Sequence, residues 1–136
     1  MSYSENLFWS SAEQTLNGAT DLELPFVAMS RLVITKVALR VTNNAAGGAV
    51  VTFERRRGVS TDTTVEAVTI PAADNDGIML YTDIAPASQI EFLPGDVLNL
   101  AVSESGTAPT AIAVIEYFVV QSDLERLESA TVVESA

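Results

Sequence analysis

The sequence predicts a single all-β domain: a jelly-roll-like β-sandwich of about eight antiparallel strands, with an N-terminal arm and a short C-terminal helix or tail. Short segments rich in Val, Ile and Leu alternate with Gly, Pro, Asn and Asp, which is typical of strands joined by turns. The 136-residue length fits one domain. No stretch reaches the roughly 18 apolar residues of a membrane helix. An immunoglobulin-like sandwich is the alternative, although its Cys–Trp–Cys core is absent.

The chain begins with a polar leader, residues 1–19, that lacks the period-two alternation of a strand. We interpret the leader as an N-terminal arm that precedes a sandwich domain at 20–121. Phe8 and Trp9 are its predicted anchors, because aromatic side chains are favoured at protein interfaces. The alternative is that Trp9 plugs the end of its own sandwich.

The sandwich is predicted to begin with a strand near residues 20–28, where Pro25 indicates an edge position or a bend. The next strand, 31–43, alternates between an apolar face and a face that carries Lys36 and Arg40. The apolar face is predicted to contain Val33, Thr35, Val37, Leu39 and Val41.

The middle of the chain continues the pattern of strands and turns. A turn at 43–48 leads to a strand at 49–57, and we expect this strand to form a long hairpin with the one before it. Further strands are predicted near 63–70, 77–84, 88–92 and 97–103, separated by loops that contain Gly or Pro.

The last predicted strand, 110–121, is apolar on both of its faces. A strand of this kind is covered on both sides, whereas only one face of a two-layer sandwich reaches the core. We therefore expect the N-terminal arm or another subunit to cover the second face, with Ile115, Tyr117 and Val119 at the subunit interface. The acidic tail, 122–136, opens with a capping-box pattern and is predicted to be a short helix or a free arm.

The composition argues against enzymatic chemistry. The chain has no His, no Cys and a single Lys, and most nucleophilic and metal-dependent mechanisms use those side chains. We predict a non-enzymatic protein with no catalytic residue, no metal and no cofactor. The segment 74–77 resembles part of a calcium loop, but Ala72 stands at the first ligand position and no helices flank it, so a turn is favoured.

The net charge of −11 is unevenly distributed. Residues 1–57 carry six of the seven basic groups, and the acidic excess falls in 58–136. This distribution disfavours nucleic acid and anionic membranes as partners. Arg55, Arg56 and Arg57 are predicted to make electrostatic contacts with a partner; pairing with the chain's own acidic half and simple solvation are the alternatives.

The mean hydropathy of +0.27 is high for a small β domain, and a protein–protein interface is the expected place for the surplus apolar surface. The N-terminus has neither the basic region nor the apolar core of a signal peptide. We therefore expect synthesis in a cytoplasm, without export by that route.

Several segments together carry a family resemblance. They are the polar leader with its aromatic cluster, the segment Phe92-Leu93-Pro94-Gly95-Asp96-Val97-Leu98-Asn99-Leu100, and the closing strand 111–120. The chain resembles the small virion proteins of tailed bacteriophages, most closely the capsid decoration, or cement, proteins. The resemblance implies a homotrimer, or sometimes a dimer, on the outside of the capsid that binds the major capsid protein and stabilises the shell. It implies no catalytic residues and no small-molecule substrate. A fibre-tip or receptor-binding module and a lectin-like carbohydrate-binding domain are the alternatives.

Overall fold

A computed structural model of the protein describes residues 6–18, 21–44 and 47–120. Within these residues the chain forms nine strands and one short turn of 3-10 helix at Pro86–Ser88. The strands are β1 (Leu7–Thr15), β2 (Asp21–Val27), β3 (Leu32–Asn43), β4 (Gly48–Arg57), β5 (Thr61–Ile70), β6 (Met79–Asp83), β7 (Glu91–Phe92), β8 (Val97–Ser105) and β9 (Thr110–Val119). In that part of the chain, no helix is long and apolar enough to cross a membrane.

The strands form two antiparallel sheets that pack face to face. Sheet I has the order β1-β9-β3-β6, with β7 also paired to β3, and sheet II has the order β2-β8-β4-β5. The first strand pairs with the last, the second with the last but one, and so on inward to β4 with β5. This nested pairing is that of a jelly roll, and it confirms the predicted all-β sandwich.

The core lies between the two sheets and follows from the alternation along each strand. Phe53, Leu39 and Leu98 are fully buried, and each contributes roughly 1.5–3 kcal/mol through burial of its side chain. Pro25 lies in β2, an edge strand whose pairing with β8 shifts register between Glu23 and Val27. The prediction of an edge position or a bend at Pro25 is confirmed.

A bulge in β3 changes which residues face the core. The register with β9 shifts between Ile34 and Lys36, which leaves Thr35 unpaired in the ladder. Leu32 and Ile34 are therefore buried, and the prediction that Val33 and Thr35 face the core is wrong. The extra residue reverses the alternation, so one period-two pattern cannot describe the whole strand.

The prediction that 31–43 and 49–57 form one hairpin is also wrong, because β3 belongs to sheet I and β4 to sheet II. The connection is held by Asn44, whose side chain donates to the Gly47 and Pro71 carbonyl oxygens at 2.9 and 3.1 Å. Its Oδ1 accepts the Asn75 amide at 2.7 Å. A Cβ at Gly47 would lie 1.7 Å from a backbone oxygen, so only glycine fits this crossing between sheets.

The leader is a strand of the sandwich where the structure describes it. β1 pairs with β9, and the pairing shifts register between Ser10 and Glu13. At the shift, Ser11 is buried and its Oγ accepts the Ala113 amide at 3.0 Å. The expectation that residues 1–19 contain no strand is wrong, because this bulge hides the alternation. Residues 1–5 and the predicted C-terminal helix or tail lie outside the described residues.

Candidate interaction surfaces

The outer face of sheet I, which points away from the core, is largely apolar. Phe8 on β1 is 68% exposed, and Tyr81 and Met79 on β6 are 59% and 49% exposed. Ala38 on β3 and Val114 on β9 lie side by side between these two edges. An antiparallel sheet with one solvated face normally presents polar side chains there. This face therefore has the character of a contact surface.

A shallow groove of about 230 Å³ runs across this outer face. Its lining includes Phe8, Ala38, Tyr81 and Val114. Lys36 lies at its edge, with Nζ 5.0 Å from the centre of the Tyr81 ring and 3.5 Å from an Asp83 carboxylate oxygen. The ammonium group is thus held over the ring, which keeps the aromatic edge of the groove in place.

Arg40 is the cation on this face that has no partner among the described residues. It is exposed on β3, where its register neighbours are Ile112 on β9 and Met79 on β6. Lys36 is paired with Asp83, and the Glu116 carboxylate accepts the Thr35 hydroxyl at 2.9 Å. A guanidinium between two apolar side chains offers a site for a carboxylate on an apolar partner.

The outer face of sheet II has the opposite character. Glu23, Asn99 and Glu54 are register neighbours across β2, β8 and β4. Asn99 is fully buried in that row and donates to Glu54 Oε1 at 2.9 Å. Asp21 on the same edge strand and Asp62 on β5 add two more carboxylates, and Arg56 is the cation among them. The two outer faces therefore differ: carboxylates are in excess on that of sheet II, whereas exposed aromatic side chains lie on that of sheet I.

The three consecutive arginines are bound within the chain. Arg56 makes two hydrogen bonds with the Asp62 carboxylate, at 2.8 and 2.9 Å, and a third with Asp21 at 2.8 Å. Hydrogen bonding to Arg56 lowers the pKa of Asp62 below its ordinary value. Arg55 donates to the Glu91 carbonyl oxygen at 2.9 Å and to the Thr63 hydroxyl at 3.1 Å.

Arg57, the third arginine, is bound by the buried carboxylate of Asp96. It donates to both oxygens of Asp96 at 3.0 and 2.7 Å, and the Leu93 amide donates to the same carboxylate at 2.7 Å. Burial by itself raises the pKa of Asp96, but the bonds from Arg57 and Leu93 outweigh it, and the pKa lies below its ordinary value. These contacts favour the alternative in which the arginines pair with the chain's own acidic residues.

Phe8 and Trp9, the predicted anchors, point to opposite sides of sheet I. Phe8 lies in the groove on the outer face. Trp9 is half-buried and packs on Phe26 of β2 with ring centres 5.3 Å apart, while Phe26 also contacts Tyr117 at 5.3 Å. Trp9 thus closes the open side of its own sandwich, as the alternative interpretation held, and Phe8 remains a candidate contact residue.

The predicted interface residues of the last strand lie on the core side of β9. Ile115 is 1% exposed and belongs to the core, so it cannot contact another subunit while the sandwich is intact. Tyr117 packs partly buried against the core, and Val119 is half-buried. The alternation along β9 was predicted correctly, but the face that points away from the core is the one with Val114 and Phe118, not the one with Ile115, Tyr117 and Val119. The outward position of Val114 and Phe118 follows from the pairing of β9 with the bulged β3.

Sequence reasoning missed the contribution of β6 to the outer face. Met79 and Tyr81 alternate with Ile78 and Leu80, so the segment is apolar on both sides. In the last strand, apolar residues on both faces predicted a covered second face. The same reasoning, applied to β6, predicts that its second face is covered as well. Elsewhere, no group of three or more His, Cys, Asp or Glu side chains within the described ranges is placed to hold a metal ion.

Comparison with known proteins gives structural neighbours only. No family model matches the chain, and no curated protein matches its sequence. A structure of Bacillus endospore appendages, described as disulfide-linked pili, is 13% identical over 88% of this chain and 92% of that chain, with a TM-score of 0.41. Eiger TNF from S. frugiperda is 10% identical over 72% and 64%, with a TM-score of 0.40. The virus-like particle of Macrobrachium rosenbergii extra small virus is 10% identical over 87% and 80%, with a TM-score of 0.36.

Proposed function

We propose that this chain is a non-enzymatic structural protein of a virion that self-associates and binds the outer surface of a phage capsid, as a decoration protein does. The observation that carries the proposal is the apolar outer face of sheet I. Three large apolar side chains lie exposed there around a groove, on a protein whose other outer face is acidic. Exposed apolar patches of this kind mark protein–protein contacts.

In this proposal the outer face of sheet I joins copies of the chain, most simply as a homotrimer. Burial of Phe8, Tyr81 and Met79 between copies removes apolar surface from water and drives the association. The acidic outer face of sheet II then remains in solvent, where like charges keep separate assemblies apart. The proposed contact surface lies on the hydrogen-bonded strands of sheet I and not on a loop, so its side chains are held in fixed positions.

The capsid-binding step is tested by co-sedimentation with emptied heads of the phage whose genome encodes the chain. We expect the wild-type protein to sediment with the heads and Tyr81→Ser to stay in the supernatant. Loss of the contact between copies removes the multivalent attachment on which the bound state depends. Val59→Ser is the matched control, because Val59 is 92% exposed in a loop away from sheet I. Equal sedimentation of all three proteins would contradict the role of sheet I, and no sedimentation of the wild type would contradict the function.

A further inference from the structure

We propose that the groove on the outer face of sheet I binds the C-terminal segment, residues 121–136, of a neighbouring copy. The inference rests on the proposed self-association and names the contact that produces it. It assigns a specific occupant to the groove lined by Phe8, Ala38, Tyr81 and Val114.

The composition of the segment matches the groove. Residues 121–136 include four acidic residues and one Arg, and they also contain Leu124, Leu127, Val132 and Val133. Phe8, Ala38, Tyr81 and Val114 give the groove apolar walls for such aliphatic side chains, and Lys36 and Glu116 line the rest of it. Beside it, Arg40 has no partner among the described residues and lies between Ile112 and Met79, where a carboxylate of the segment can bind it.

The outer face of sheet II does not offer the same match. Asp21, Glu23 and Glu54 would repel an acidic segment, and the principal cation there, Arg56, is already bound by Asp62 and Asp21. The other charged side chains that the strands of sheet I place on its outer face include Glu13, Lys36, Asp83, Glu91 and Glu116. Lys36 is paired with Asp83, and Glu116 accepts a hydrogen bond from Thr35. Arg40 is therefore the cation on that face that has no carboxylate partner among the described residues.

The direction of β9 favours the groove of a neighbour over the chain's own. β9 carries the chain from the groove at Val114 to Val120, about 20 Å further along the strand at the usual rise per residue. To enter its own groove, the segment would have to turn back and run over β9 for that distance. Of the residues that most readily form tight reversals, residues 121–136 contain Ser and Asp but neither Gly nor Pro. Without a reversal, the segment reaches up to ~50 Å beyond the sandwich when extended.

An exchange of this kind is a head-to-tail contact, in which the groove of one copy receives the segment of the next. Such contacts form a closed ring when the rotation between copies returns to the start. Each copy then uses both its groove and its segment, which gives the proposed homotrimer a defined set of identical contacts.

Cross-linking in the cysteine-free chain tests this inference. Ser10→Cys and Leu127→Cys are combined in one full-length chain and treated with a bismaleimide. Ser10 is exposed on β1 beside Val114, so this change labels the groove and leaves Phe8 and Tyr81 in place. We expect covalent dimers and trimers on a denaturing gel. The matched control is Thr69→Cys with Leu127→Cys, because Thr69 is exposed on β5, the corresponding edge strand of sheet II. We expect this pair to remain monomeric.

Each other outcome overturns the inference. A cross-link confined within single chains would place the segment in its own groove, and equal ladders from both pairs would mean that the segment has no preferred site. If light scattering gives a trimer but the pair Ser10→Cys with Leu127→Cys forms no cross-link, self-association stands and this assignment fails. If light scattering gives a monomer, the proposed self-association fails as well.

The charge contact is tested in the same cysteine background. We expect Arg40→Glu to abolish most of the cross-linked ladder and Arg40→Lys to retain it, because lysine keeps the cation beside the groove. A ladder unchanged by Arg40→Glu would contradict the pairing of Arg40 with the segment.

Discussion

Individual residues show how the chain uses its few cations. Six of the seven basic residues fall in the first 57 positions, and three of them are adjacent at the end of β4. The structure binds these three to carboxylates, a carbonyl oxygen and a hydroxyl from four separate segments. Adjacent cations thus tie together the strands and turns at one end of the sandwich, and their role is internal cohesion.

Acidification is expected to weaken this end of the molecule through Asp96. Its folded pKa lies below its ordinary value. The carboxylate's contribution to the free energy of unfolding is therefore complete above the unfolded pKa, about 3.9, and is lost as the pH falls through the folded pKa. We expect Asp96→Asn to be less stable by about 1–3 kcal/mol at neutral pH. The asparagine amide replaces one acceptor oxygen with a donor, so one hydrogen bond from Arg57 or from the Leu93 amide is lost. Urea unfolding at pH 7 and pH 3 measures both effects. A variant whose unfolding depends on pH as steeply as the wild type would contradict this role.

At the scale of elements, β1 makes two different contributions through adjacent residues. Trp9 faces inward and closes the gap between the sheets, and Phe8 faces outward into the groove. Because successive side chains of a strand point to opposite faces, one aromatic serves stability and its neighbour serves contact.

We expect Trp9→Ala to lower the free energy of unfolding by about 2–3 kcal/mol, below the range for a fully buried aromatic because Trp9 is only half-buried. The loss arises from the contact with Phe26 and from the gap left between β1 and β2. Chemical denaturation followed by far-ultraviolet circular dichroism measures it. A change below about 0.5 kcal/mol, the range usual for surface substitutions, would show that Trp9 does not seal the sandwich.

Phe8→Ser is expected to leave the free energy of unfolding within about 1 kcal/mol of the wild type, because Phe8 is mostly exposed. Self-association, in contrast, is expected to weaken as the groove loses one wall. Sedimentation equilibrium measures the association, with Met29→Ser as a control in which an 85% exposed loop residue is changed instead. Equal weakening by both variants, or a large loss of stability in Phe8→Ser alone, would contradict this division of roles.

The elements also show how far the sequence determines the fold and the candidate surface. The strand regions, the turns and the two-sided apolarity of the last strand could be read from alternation and turn residues. The inward face of β3 could not, because the bulge at Thr35 depends on the register with β9. The strand at Leu7–Thr15 was hidden by the buried Ser11, whose hydrogen-bond partner, Ala113, is far away in the sequence. Long-range pairing decided both cases, and it also decided which face of β9 lies inside.

At the scale of the whole molecule, the two sheets give the protein two unlike sides. The outer face of sheet II carries carboxylates, one of which accepts a hydrogen bond from the buried Asn99. The outer face of sheet I carries aromatic and aliphatic side chains around a groove. A molecule of this kind is expected to bury one side and keep the other in water. The exposed aromatic side chains Phe8 and Tyr81 both lie on one surface, the outer face of sheet I.

The solution mass of the full-length protein, measured by light scattering, is the most direct test of that surface as the contact between copies. The comparison is between the wild type, the double variant Phe8→Ser with Tyr81→Ser, and the control Met29→Ser with Val59→Ser. We predict three times the chain mass of 14.4 kDa for the wild type and the control, and the mass of a single chain for the double variant. A wild-type monomer, or a double variant that keeps the wild-type mass, would contradict the claim that the outer face of sheet I joins the copies.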